Sequence, residues 1–104
     1  MEYLIGVDLG TSGTKTVLFD TCGNVMASKT VEYPLYQPQN GWAEQEPADW
    51  WNAAAATCKA VIEESGVNPA DIKGVGLSGQ MHGLVMLDKE GKVLRRSIIW
   101  CDQR

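Results

Sequence analysis

The segment Asp8-Leu9-Gly10-Thr11-Ser12-Gly13-Thr14-Lys15 lies between two apolar runs, Tyr3-Leu4-Ile5-Gly6-Val7 and Thr16-Val17-Leu18-Phe19. Two strand-like runs joined by glycines and hydroxyl residues predict a hairpin whose turn can wrap a phosphate. Glycine lets backbone N–H groups approach an oxyanion closely, and successive N–H groups in such a turn form an anion-binding concavity. Thr11, Ser12 and Thr14 offer hydroxyl donors, and Lys15 offers a positive charge. Asp8 would repel a bare phosphate, so its place at the strand end implies an intervening Mg²⁺. The same residues also suit an ordinary turn, in which Asp bonds the following backbone amides. The pattern is neither G-x-x-x-x-G-K-[ST] nor G-x-G-x-x-G, and it opens a strand where those motifs open a helix.

The rest of the composition narrows the possibilities. A chain of 104 residues is one domain at most, and 44% hydrophobic with 21% charged residues suits a globular protein. The net charge of −4, with scattered basic residues, disfavours nucleic acid and anionic membrane as partners. No apolar run approaches the ~20 residues of a membrane span, and the N-terminus lacks a signal pattern. Cys22, Cys58 and Cys101 are odd in number and far apart, which reads as reduced thiols in a cytoplasmic protein. The closing Cys101-Asp102-Gln103-Arg104 looks like a loop leading onward, and a piece of a larger protein is expected.

Residues 3–8, 14–20 and 24–33 read as three successive antiparallel strands, with a Gly-Asn hairpin signal in Thr21-Cys22-Gly23-Asn24. Pro34 to Asn40 is irregular. Pro47 opens a helix, Asp49 sits at its positive end, and Gly66 closes it. Trp51, Ala54, Cys58, Val61, Ile62 and Ser65 are spaced to form its core face. Asn68 to Asp71 is a capped short turn, and Ile72 to Ser78 reads as a mostly buried strand. A further hairpin follows, from Leu84–Leu87 through the turn Asp88–Lys92 to Val93–Trp100. A helical crossover sets the fourth strand parallel to the first and beside it. Asp8 and Ser78-Gly79-Gln80 then share one sheet edge, where ligands of open α/β sheets collect.

Gly79-Gln80-Met81-His82-Gly83 follows that fourth strand. Glycines on both sides permit a sharp turn presenting Gln80, Met81 and His82 at the rim. A neutral imidazole donates and accepts hydrogen bonds, which suits sugar hydroxyls, although a lone His is more often structural. No second His or paired carboxylate stands at metal-ligand spacing.

The first loop resembles the leading phosphate loop of the actin, Hsp70 and sugar-kinase superfamily. Four motifs in order make the resemblance specific. They are Asp8–Lys15, Gly41-Trp42-Ala43-Glu44-Gln45-Glu46-Pro47, Ser78–Gly83, and Ile99-Trp100-Cys101-Asp102-Gln103-Arg104. Together they are similar to the start of an FGGY-type carbohydrate kinase, and the resemblance covers essentially the whole chain. Within that family Gly-Gln-Met-His-Gly resembles the xylulokinase loop, whereas glycerol kinases carry Arg-Glu at the positions of Met81 and His82.

The resemblance implies a partial actin-like, ribonuclease H-like α/β fold, an antiparallel three-stranded start with a helix, a parallel fourth strand and an extra hairpin. It implies that residues 1–104 are the N-terminal part of the first of two domains, with ATP and Mg²⁺ held between them and D-xylulose as phosphoryl acceptor. Asp8 would lie near Mg²⁺ and the transferred group; Gly10, Thr11, Ser12, Thr14 and Lys15 near the ATP phosphates; and Gln80, Met81, His82, Trp100, Asp102 and Arg104 at the sugar. Trp42 and Glu44 read as structural. The family's catalytic-base Asp and its adenine pocket belong further downstream, so the 104 residues alone are expected to be inactive and to self-associate through exposed sheet and hairpin. Other FGGY kinases (ribulokinase, gluconokinase or glycerol kinase type) and a non-catalytic actin- or Hsp70-like nucleotide module are the alternatives, with a stand-alone binding domain behind them.

Overall fold

The computed structural model describes residues 1–104. Three strands, β1 (Tyr3–Leu9), β2 (Gly13–Asp20) and β3 (Val25–Glu32), form an antiparallel meander. The two-residue strand β4 (Glu44–Gln45), the helix α1 (Pro47–Ser65), a 3₁₀ turn (Pro69–Asp71), β5 (Ile72–Ser78) and the two-residue β6 (Ser97–Ile98) follow. The main sheet has the order β3-β2-β1-β5, with β5 parallel to β1. That is the crossover arrangement expected from the sequence. No helix is long and apolar enough to cross a membrane.

Local chemistry sets the turns. The Asp20 carboxylate accepts from the backbone N–H groups of Cys22 and Asn24, both at 2.9 Å, while Gly23 adopts φ 87°. These bonds close the β2–β3 hairpin. Pro47 occupies the first turn of α1, and Gly66 ends the helix at φ 70°, a conformation glycine adopts without penalty. Asn68 caps the 3₁₀ turn by accepting from Ala70 N–H.

Strand alternation makes the core. Ile5 and Val7 of β1, with Thr14, Thr16 and Leu18 of β2, are buried. Against them α1 presents Ala53, Thr57 and Val61, with Ala54, Cys58 and Ile62 alongside. The expected helix face is therefore rotated, and Trp51 is 75% exposed. Hydropathy counts Trp51 in and Thr57 out, but the contact selects a small side chain that can hydrogen bond. Thr57 Oγ1 donates to the Ala53 carbonyl at 2.8 Å and lies 2.7 Å from Thr16 Oγ1, so its oxygen can accept the Thr16 proton.

Two expectations are corrected. β5 is exposed, with Val75 at 60% and Leu77 at 79%. In register these residues stand opposite Ile5 and Val7, on the same sheet face, yet α1 lies over β2 and β3 and only the margin of β1. The C-terminal hairpin is also less regular than expected. It is held by the Leu87–Val93 and Leu84–Ile98 bridges and by Leu94 N–H on the Met86 carbonyl, while Ser97–Ile98 pairs with Glu44–Gln45 and Trp100 lies in a turn.

Two outcomes follow from this packing. Thr57→Val should cost about 1–3 kcal/mol, because the Thr16 hydroxyl is left buried and unpaired. The double variant Thr16→Val/Thr57→Val should recover most of that loss, and a double-mutant cycle in urea unfolding measures both; additive losses would mean the hydroxyls do not act as a pair. Separately, exposed Val75, Leu77, Leu84, Val85, Leu87 and Leu94 should make the isolated chain self-associate. Light scattering that gives a monomer mass at high concentration would contradict this.

Candidate active site

β1 and β5 run parallel, so their carboxyl ends meet, and Asp8 stands directly beside Ser78 in register. The loops that leave those ends face each other across a cleft of about 350 Å³ lined by Asp8, Leu9, Gly10, Thr11, Gly79, Gln80, Met81, His82 and Trp100. Trp100 reaches it from a remote segment, its indole Nε1–H donating to Thr11 Oγ1 at 2.9 Å. Met81 is 73% exposed and Trp100 58%, so both offer apolar surface to an occupant. In the second loop the left-handed residue is His82 itself, at φ 61°, rather than a flanking glycine.

The first loop is a tight turn closed by Gly10 N–H on the Gly13 carbonyl at 2.9 Å. A side chain at Gly13 would lie 2.6 Å from the Val31 carbonyl, so this glycine is required by the close approach of β3. Beneath the loop lies an amide network that sequence reading missed. Gln45, fully buried, donates from Nε2 to the Thr11 carbonyl at 2.6 Å. Its Oε1 accepts from Trp50 Nε1 at 3.0 Å and from Gln80 Nε2 at 2.9 Å. Gln80 Nε2 also donates to the Gly10 carbonyl at 3.2 Å, and the Tyr33 hydroxyl donates to that same carbonyl. Burial pushes the Tyr33 phenol above its ordinary value, opposed by the Thr14 hydrogen bond and assisted by the Asp8 charge, so it remains a donor. Only the position of Gln45 in the Gly41–Pro47 motif hinted at it; hydropathy does not distinguish this residue from a surface glutamine.

Five expected site residues do not line this cleft. Thr14 is fully buried on the α1 side of the sheet, its hydroxyl 3.2 Å from the Tyr33 hydroxyl, because alternation turns it away from the exposed Lys15. Asp102 and Arg104 do not line the cleft. Asp102 Oδ2 accepts from Ala43 N–H at 2.7 Å and from Arg104 Nη2 at 2.7 Å; Arg104 also reaches Glu44 and stacks on Trp42. Lys15 lines a neighbouring depression with Val17, Leu77 and Ser78, and Asp8 belongs to both. Ser12 is exposed in the first loop.

The model for the FGGY family of carbohydrate kinases, N-terminal domain, matches residues 3–104. The chain belongs to the FGGY family of carbohydrate kinases. It is 45% identical to xylulose kinase from Bacillus subtilis over 104 residues, which is all of this chain and 21% of that protein. The solved xylulose kinase from Rhodospirillum rubrum aligns at 32% identity and TM-score 0.89 over 99% of this chain and 21% of its own. Gluconate kinase from Lactobacillus acidophilus aligns at 35% identity and TM-score 0.88 over 97% of this chain and 20% of its own. This FGGY chain thus spans about a fifth of the length of the relatives it matches, and its α/β fold is that of their N-terminal actin-like domain.

The Arg104 guanidinium holds the Asp102 carboxyl far below the usual range, with burial opposing and the Ala43 N–H assisting. A depressed carboxyl contributes its stability in full above its unfolded value of about 3.9 and loses it as pH falls below. Below about pH 4 the wild-type chain should therefore lose stability more steeply than Asp102→Asn. Parallel stability–pH profiles from chemical unfolding would show that this carboxylate contributes nothing.

Proposed function

We propose that residues 1–104 are the N-terminal part of a two-domain kinase that transfers the γ-phosphoryl group of ATP to a hydroxyl of D-xylulose, giving D-xylulose 5-phosphate. The observation that carries this reading is the meeting of the Asp8–Thr11 loop with Met81-His82 across one cleft, closed on a third side by Trp100. Phosphoryl transfer depends on positioning and charge neutralisation, with little covalent chemistry left to the protein. Exposed backbone amides of the first loop suit phosphate oxygens; Met81, His82 and Trp100 suit a polyol, with apolar faces for carbon and an imidazole for hydroxyls.

Mg²⁺ fits the donor set. It takes one or two carboxylates plus substrate phosphates, and Asp8 offers one exposed carboxylate at the loop's start. Mg²⁺ would supply neutralisation of phosphate charge there. Asp8 would orient it, Lys15 would add charge nearby, and the general base and adenine pocket would come from other parts of the kinase. Met81-His82 favours xylulose over glycerol, and the similarity to gluconate kinase makes another sugar acid or sugar the second reading.

In the full-length kinase, Asp8→Ala should lower turnover by orders of magnitude, and wild-type turnover would reduce Asp8 to a turn residue. His82→Asn retains a residue type that tolerates positive φ. It should raise KM for xylulose more than KM for ATP, by about 0.5–1.5 kcal/mol for one lost hydrogen bond. An unchanged sugar KM would place His82 outside the pocket. The 104-residue chain alone should form no xylulose 5-phosphate from ATP, and product formation by a preparation free of other kinases would refute the division of the active site.

A further inference from the structure

We infer that Gln45 is a positioning residue for the phosphate loop, acting with Gln80 to set which way the loop's peptide groups face. The inference rests on the kinase reading above and extends it to a residue outside the cleft lining.

The Gly10 and Thr11 carbonyls are held by side-chain amides from two distant segments, Gln80 Nε2 at 3.2 Å and Gln45 Nε2 at 2.6 Å. All peptide bonds are trans, and in a trans peptide the C=O and N–H of one plane point in opposite directions. The Gly10 carbonyl shares its plane with Thr11 N–H, and the Thr11 carbonyl with Ser12 N–H. Fixing the two carbonyls on the glutamines therefore turns both N–H groups to the opposite side. Neither N–H has a protein acceptor, whereas Gly10 N–H, just before them, is bonded to the Gly13 carbonyl. Two successive free N–H groups in the loop, the first on the cleft-lining Thr11, form the donor pair that an anionic oxygen needs.

The orientation of the Gln45 amide follows from its partners. Its Oε1 meets two donors, Trp50 Nε1–H and the Gln80 amide, and its Nε2 meets a carbonyl; the reversed amide would set donor against donor and oxygen against oxygen. β4 holds the residue because Gln45 is registered opposite Ser97 of β6. One fully buried side chain thus joins the first loop, the second loop and the start of α1.

Gln45→Glu separates this role from packing. The carboxylate still accepts from Trp50 and Gln80, but it cannot donate to the Thr11 carbonyl. Trp50→Phe is the control, removing one of the two donors to Gln45 Oε1 and neither of the amide bonds to the loop carbonyls. In the full-length kinase, Gln45→Glu should weaken the Kd for Mg·ATP by tenfold or more, measured by calorimetry, while KM for the sugar changes less than threefold. Trp50→Phe should lower Tm yet leave the Mg·ATP Kd within twofold. A Gln45→Glu Kd within twofold of wild type, or equal weakening by Trp50→Phe, would overturn the inference. If Gln45→Glu does not fold, the near-isosteric Gln45→Met replaces it, removing the donor to the Thr11 carbonyl, with the same expectation and the same overturning result. A wild-type kinase that binds Mg·ATP but does not phosphorylate xylulose would count against the substrate reading alone.

Discussion

A turn as short as Gly10-Thr11-Ser12 has no core of its own, so its conformation depends on where its backbone polar groups find partners. Beneath this turn those partners are amides and a phenol: Gln45, Gln80 and Tyr33 take the carbonyls of Gly10 and Thr11. Buried backbone groups left unbonded cost about as much as a lost hydrogen bond, so these contacts confine the loop to one shape. The site then becomes a consequence of the fold. β1 delivers the loop, β5 delivers the facing loop, β4 supplies the buried amide between them, and Tyr33 follows β3.

Glu44 and Gln45 are neighbours in β4, and strand alternation sends them to opposite sides. Gln45 faces the loops. Glu44, only 4% exposed, receives Arg95 and Arg104, with Arg96 at 3.9 Å. Arg96 also pairs with Glu46 and lies over Tyr36, while Arg104 pairs with Asp102. Three carboxylates and three guanidiniums balance in one cluster. Burying a carboxylate is unfavourable unless it is paired, and here the pairing ties the segment around Trp100 to β4. Asp102 and Arg104 therefore fasten the backbone next to Trp100 and do not line the cleft.

Much of this was legible in the chain. The strands announced themselves through alternation, and α1 through Pro47 and Gly66, because both signals are local. The parallel pairing of β5 with β1 followed from the crossover, so the convergence of Asp8 with Met81-His82 was legible too. What escaped was non-local and polar. β4 is two polar residues without periodicity, and its partner lies beyond the second loop. Thr57 is buried because Thr16 faces it, a pairing no helical pattern reveals. The exposure of Val75 and Leu77 escaped as well, since an apolar run reports only that a strand prefers cover. The ion pairs of Asp102 and Arg104 escaped too, since Glu44 and Ala43 lie far from them in sequence and no local pattern announces the pairing.

His82 displays its imidazole from a left-handed backbone, the only non-glycine residue in the chain with positive φ. That conformation disfavours β-branched side chains and is met most easily by Gly, Asn and Asp. Variation at this position is therefore filtered twice, once by what the ring touches and once by what the main chain tolerates. A saturation library there would be depleted of Val, Ile and Thr even under selection for folding alone. A substitution meant to change what this corner of the cleft presents is most readily made at Met81, whose backbone lies outside the positive-φ range.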